Sequence, residues 1–217
     1  EKLAATKAKR IEAKRQDVIL ATVWDTYIED RRQHWSERHL FDHQNLARPG
    51  GVKAKRGNRK TTPGPLAPLM PLKLVDLTAQ RIRSWLQSET AIRATQARLA
   101  FGALRTFANW CNDQDAYRGI LDMEAFSSRI ARQELPKKAA KDDVLQREQL
   151  QTWFEAVRTL SNPVISSYLQ TLLLTGARRE EIGQLQWEHV DFQWNSLTIR
   201  DKVEGHRIIP LTPYVAS

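Results

Sequence analysis

"LLLTGARREEIGQLQW", residues 172–187, runs from an apolar stretch through a Thr-Gly break into Arg178, Arg179, Glu180 and Glu181, then turns apolar again. A glycine directly after an apolar helix is a helix stop, so Gly176 divides two helices. In the second, Arg178 and Glu181 stand three apart and share a face, where the carboxylate can fix the guanidinium by a charge-assisted hydrogen bond. Ile182 and Leu185 supply its packing side. A solvated helix start accounts for such a cluster. So does an inward arginine aimed at a phosphate, since the planar guanidinium grips two oxygens and a helix N-terminus favours an anion. The expected division puts Arg178 and Glu181 inward and leaves Arg179 and Glu180 in solvent, with Arg179 available for a nonspecific phosphate contact.

Upstream, "LQREQLQTWFEAV" reads as a helix with Leu150, Trp153, Phe154 and Val157 inward. "NPVISSYLQTLLLTG" reads as a helix apolar enough to be buried, with Pro163 in its first turn. Downstream the period shifts to strands, "SLTIR" and "RIIPL", around the turn-like "DKVEGH". Gly205 lets that turn close tightly. Lys202 stands where strand gives way to turn, and a lysine at a hairpin tip can donate a proton to a leaving oxygen. Singly, an Arg-Glu pair is commonly a surface salt bridge and a hairpin lysine is commonly just solvated.

The first half of the chain is helical in pattern. Residues 1–16, rich in Ala, Lys, Glu and Arg, suit an exposed helical linker from a missing N-terminal region, or a disordered basic tail. In "DVILATVWDTYIEDRRQHW", Val23, Tyr27 and Ile28 recur at helical spacing, with Thr22 placed to cap. Ser36 to Leu46 reads as a second helix capped by Ser36. Residues 48–70 break all periodicity and read as a flexible loop. Arg48, Lys53, Lys55, Arg56, Arg59 and Lys60 fall in it with no acidic residue among them. "LVDLTAQRIRSWLQS" is a helix capped by Thr78, and "TAIRATQARLAFGALRTFANWCN", from Thr90, is another. Its apolar stripe is read as Leu99, Ala103, Phe107 and Trp110, with Arg93, Arg98 and Arg105 off the stripe. The polar "RQELPKKAAKDD", with Pro136, reads as part of an interdomain linker over residues 121–142. The organisation is thus a linker (1–16), a helical domain (17–120), a second linker (121–142) and the start of a second domain (143–217).

The 217 residues carry a formal net charge of +9, with a pI of about 9.9. That balance favours a polyanionic partner. At 41% hydrophobic and 27% charged, the composition is that of a soluble globular protein. No apolar run approaches membrane-spanning length. The lone Cys111 rules out an internal disulfide and a cysteine-based zinc site. A cytoplasmic location is expected. Opening at Glu1 and ending on "PLTPYVAS", the chain reads as a fragment.

Order and spacing together carry more than the single motifs. The chain resembles the tyrosine recombinases, or phage integrases, of the prophage type. Their first signature is matched at Thr175, Gly176, Arg178, Glu181, Leu185, Trp187 and Asp191. Their hairpin signature is matched at Lys202, Gly205, Arg207, Pro210 and Leu211. "WSERH", "LTAQRIRSWL" and "RTFANWCN" look like segments of the family's helical core-binding domain. The resemblance implies a mainly α (α+β) fold: a SAM-like core-binding bundle, then a truncated catalytic domain with a small β-hairpin. It also implies metal-free strand exchange on double-stranded DNA through a 3′-phosphotyrosyl link, by protomers assembled as a tetramer. Arg178 would be the first catalytic arginine, Glu181 its buttress and Lys202 the general acid. Arg93, Thr95, Arg98 and Arg105 would face DNA, with Lys53, Lys55, Arg56, Arg59, Lys60 and Arg179 on the backbone.

The family's His-x-x-Arg box is missing: none of His34, His39, His43, His189 or His206 has an arginine three residues on. Tyr27, Tyr117, Tyr168 and Tyr214 all lie too early to be the nucleophile, and Tyr214 is expected to pack or cap the next helix. The alternative is a catalytically dead DNA-binding accessory factor or regulator derived from an integrase.

Overall fold

The computed structural model describes residues 17–54, 56–137, 143–201 and 205–216. Two compact units, Glu1–Ala139 and Ala140–Ser217, make up the chain. Among its described residues the first is mainly helical, with one small hairpin and an isolated bridge between Ile19 and Lys73. The second joins short helices to a three-stranded antiparallel sheet in the order β1-β2-β3.

In the first unit, α1 spans Leu20–Arg31. Thr22 does not cap it. The helix starts at Leu20 because backbone carbonyls replace a side-chain cap: Leu20 N–H donates to Leu72 O (2.8 Å) and Ala21 N–H to Met70 O (3.0 Å). Helix α2 spans Glu37–Ala47 and is capped as the sequence indicates, with Ser36 accepting from His39 N–H. Helix α3 runs Ala79–Asp113 from a Thr78 cap, and the two helices read separately join in it across a kink at Arg93 (φ −154°, ψ 66°).

Of the predicted stripe on α3, Phe107 and Trp110 are buried and Ala103 packs against the core, but Leu99 is off it. Ala97, Ala100, Phe101, Leu104, Phe107 and Cys111 face the core, while Leu99 is 63% exposed. At 3.6 residues per turn Leu99 lies about 140° around the helix from Leu104. Phe107 and Trp110 join Trp24, Tyr27, Trp35 and His43 in an aromatic cluster. Edge and tilted contacts of this kind add to what area burial gives.

The basic segment is not a plain loop. Gly51 N–H donates to Thr61 O (2.8 Å), Thr61 N–H to Val52 O (2.7 Å) and Ala54 N–H to Arg59 O (2.9 Å), with Lys53 paired antiparallel to Lys60. Gly51 at φ +79° makes the first residue of a bulge that twists this hairpin. The chain then returns tightly to the bundle: a Cβ on Gly64 would stand 2.2 Å from Leu46 O. Leu66 and Leu69 are buried.

Part of the linker expected over 121–142, residues 121–135, packs onto the bundle. A 3-10 turn at Met123–Phe126 and helix α4, Ser128–Glu134, bury Leu121, Ala125, Phe126, Ile130 and Leu135 against the bundle. Phe126 and Ile130 stand four apart, an apolar spacing that the lysine-rich composition around them obscured. Glu134 fastens α4 to α3 by accepting from Arg83 (2.8 Å) and Gln87 (3.0 Å). The 1–16 segment and residues 138–142 lie outside the described residues.

In the second unit, α5 spans Leu150–Arg158 and buries Val157, with Leu150, Trp153 and Phe154 half-buried. Helix α6, Pro163–Thr175, has Pro163 at its start behind an Asn162 cap and ends on Gly176 at φ +63°. It is far less buried than its composition predicts. Val164, Ile165, Leu173 and Leu174 are exposed, because α6 packs on one side only and no described element covers the other. Helix α7 is Arg179–Gly183. Strands β1 (Val190–Asp191), β2 (Ser196–Asp201) and β3 (Gly205–Pro210) follow, pairing Leu197 with Ile209 and Ile199 with Arg207. Helix α8, Pro213–Ala216, closes the described chain.

Candidate catalytic cluster and nucleic-acid interface

The left-handed turn at Gly176 ends α6 and delivers Arg178 to the N-cap of α7 in extended conformation. From there its backbone N–H donates to Glu181 Oε2 (2.7 Å) and its Nη1 to Glu181 Oε1 (2.6 Å). The buried partner is the carboxylate: the Glu181 side chain is 6% exposed and that of Arg178 65%. The inward pair is therefore an inward glutamate holding an arginine that faces out of the fold. A carboxylate that bonds a guanidinium this way fixes the direction of its planar fork.

Glu181 holds a second cation. Arg207, in the hairpin signature but given no role from the sequence, donates from Nη2 to Glu181 Oε2 at 3.0 Å. It reaches there from β3, opposite Ile199. The backbone N–H of Arg178 most of all, then the Arg178 guanidinium bond and the Arg207 charge, hold the Glu181 carboxyl below its ordinary range against the opposing effect of desolvation. The signal was available: an arginine inside an apolar strand, "HRIIP", needs a partner. Which partner was not readable, because Glu181 is 26 residues away.

Beside this carboxylate lies a cleft of about 700 Å³, lined among others by Gln184, Gln186, His189, Arg200 and His206. Arg179 points to solvent and pairs with Glu180 (2.6 Å). Tyr214 packs edge-on against Phe154 and bonds Arg158 and Gln170 through its hydroxyl. Lys202 lies outside the described residues.

In the helical unit the predicted contacts separate. Arg93 is bonded within the helical unit. Its Nε and Nη2 donate to the Glu89 carboxylate (2.6 and 3.2 Å) and its Nη1 to Pro63 O (2.7 Å), which pins the α3 kink to the turn before Leu66. The reason is local: Glu89 is buried at the kink and a buried charge must be paired. Arg98 bonds the Pro136 carbonyl. Thr95 and Arg105 are exposed on the same stretch of α3, and Lys53, Arg56, Arg59 and Lys60 are exposed on the hairpin. Lys55 lies outside the described residues. Between α2 and α3 runs a groove of about 790 Å³, whose cationic lining adds Arg38 and Arg48 to Arg98.

A family model, the phage integrase core-binding domain, matches residues 19–133, inside the helical unit. Among curated proteins, the prophage integrase IntF of Escherichia coli (strain K12) is 44% identical over 224 residues, which cover 99% of this chain and 48% of the relative. The chain thus spans about half the length of that relative. No solved structure matches. With an integrase core-binding domain over its helical unit and the likeness to IntF running on through the Arg178–Glu181–Arg207 cluster, the chain belongs to the phage integrase family.

Proposed function

We propose that this chain carries the core-binding domain and the first half of the catalytic site of a tyrosine recombinase that integrates or excises a prophage or related mobile element. The observation that carries the reading is Glu181, buried and bridging Arg178 and Arg207, at the family's own spacing. Preorganised cations of this kind stabilise charge that develops on a phosphate, the largest lever in phosphoryl-type chemistry. In this reading a tyrosine attacks the scissile phosphate, a 3′-phosphotyrosyl ester forms and a 5′-hydroxyl leaves. Arg178 stabilises the pentacoordinate charge, Glu181 fixes Arg178, and Lys202 protonates the leaving oxygen. The exchange conserves one high-energy linkage for another, so no nucleotide cofactor enters. The partners are double-stranded DNA and further integrase protomers, four in the active assembly. The site of action is the bacterial nucleoid.

The His-x-x-Arg box and the nucleophile are not among these 217 residues. The polypeptide is therefore expected to bind duplex DNA without cleaving it. Incubation with a nicked suicide duplex tests this: a salt-sensitive complex and no covalent adduct is the expected result, and an adduct stable to detergent overturns the assignment. In a polypeptide that continues into the missing box and tyrosine, Arg178→Ala is expected to abolish adduct formation while leaving binding intact. Arg179→Ala is expected to change adduct formation little.

A further inference from the structure

Among the large apolar residues of α3 beyond its kink, Leu99 alone is exposed. Gln96, one turn earlier, is exposed too, and among the described residues its amide makes no hydrogen bond. One turn later stands Gly102, in the helix interior, where an added Cβ would meet nothing within 4 Å. Glycine is a poor helix former, and here neither a cap, a positive φ nor close internal packing asks for it. What it leaves is bare helix backbone open to the outside. Gln96, Leu99 and Gly102 all line the groove between α2 and α3. Phe41 faces them from α2 and is also exposed. Arginines rim the groove, and its one acidic residue, Asp42, is bonded to Arg38.

We infer that this groove face reads base edges in the major groove of the target duplex, with Gln96 and Leu99 as sequence-determining side chains and Gly102 as the point of closest approach. The inference rests on the DNA-binding reading above and adds what the arginines cannot supply, because phosphate contacts carry no sequence information. An A·T pair offers the major groove adenine N7 and N6–H, which match a glutamine amide, and a thymine methyl, which matches a leucine. A helix fits the groove width, and a residue without a side chain lets it sink further. The cationic rim favours this occupant over a protein segment.

The test is selection from a randomised duplex library with the 217-residue chain and its Gln96→Ala, Leu99→Ala and Gly102→Leu variants. Anisotropy on the selected duplex and on an unrelated one, and thermal melting, accompany it. The wild type is expected to enrich a motif containing an A·T pair. Gln96→Ala and Leu99→Ala are each expected to lose that preference and roughly tenfold in affinity for the selected duplex. Affinity for the unrelated duplex and the melting temperature should hold. Gly102→Leu is expected to melt no lower than wild type yet bind both duplexes at least about tenfold more weakly. A motif unchanged in the two side-chain variants, or a Gly102→Leu protein that binds normally, overturns the inference. DNA binding would then stand and the groove would belong to a protein partner. Enrichment of no motif by a wild type that binds DNA also overturns it. A wild type that binds no duplex overturns this inference and the DNA-binding reading together.

Discussion

At the residue scale, one buried carboxylate, Glu181, holds two arginines, Arg178 and Arg207. Because Glu181 is held below its usual range in the folded state, its stabilising effect is present above the ordinary carboxylate value and fades as pH falls through the lowered folded value. The urea midpoint of Glu181→Gln is therefore expected to lie below wild type at pH 7 and to converge with it on acidification through and below pH 4.5. Parallel curves over that range would remove Glu181 as the titrating group. Arg93 belongs to the same scale, held by Glu89 and the Pro63 carbonyl. Arg93→Ala strands the buried Glu89 carboxylate and is expected to destabilise the helical unit by about 3 kcal/mol. Adding Glu89→Leu should recover most of that loss, which a two-mutant cycle in urea checks.

At the scale of elements, the hairpin that runs from Gly51 to Thr61 changes what a basic segment can do. A disordered run of lysines and arginines must be ordered on binding, whereas the bulge at Gly51 and the fit of Gly64 against Leu46 present Lys53, Arg56, Arg59 and Lys60 on a twisted ribbon. Replacing these four by glutamine is expected to flatten the slope of log affinity against log salt by up to about 3.6, near 0.9 for each phosphate that is no longer neutralised. Unchanged selectivity between duplexes should accompany the change. A slope equal to wild type would take the hairpin off the DNA. The bundle itself should withstand this replacement, since all four side chains are exposed.

Across the whole molecule, burial is divided unequally. The helical unit holds a continuous core that includes Trp24, Phe107 and Phe126, while buried apolar residues of the second unit are Val157, Ile182, Leu197, Ile199 and Leu211. Stability follows buried apolar area, so the second unit is expected to open first. Cys111 reports on this: it sits in the helical core and burial pushes its thiol up to about 12. In a denaturant titration, thiol labelling at pH 8 is expected to lag behind loss of the β-sheet signal. Labelling that leads the sheet signal would show the order to be reversed. The bare side of α6, with Val164, Ile165 and Leu174, should bind an apolar dye already in the native state.

By itself the sequence determined what depends on residues a few positions apart. The caps at Ser36 and Thr78, the stop at Gly176 and the Arg178–Glu181 pair are local, because a side chain three residues away can meet a free backbone amide or a charge, whereas Thr22 lost its helix start to the distant carbonyls of Met70 and Leu72. The basic balance and the family signatures are likewise properties of the string. Tertiary structure alone decided that Leu99 faces outward, the tie of Arg93 to the Pro63 carbonyl, the packing of residues 121–135 against the bundle and the arrival of Arg207 on Glu181. Each of these is a choice among partners far apart in sequence. Packing and the need to pair a buried charge make that choice, and neither composition nor period contains it.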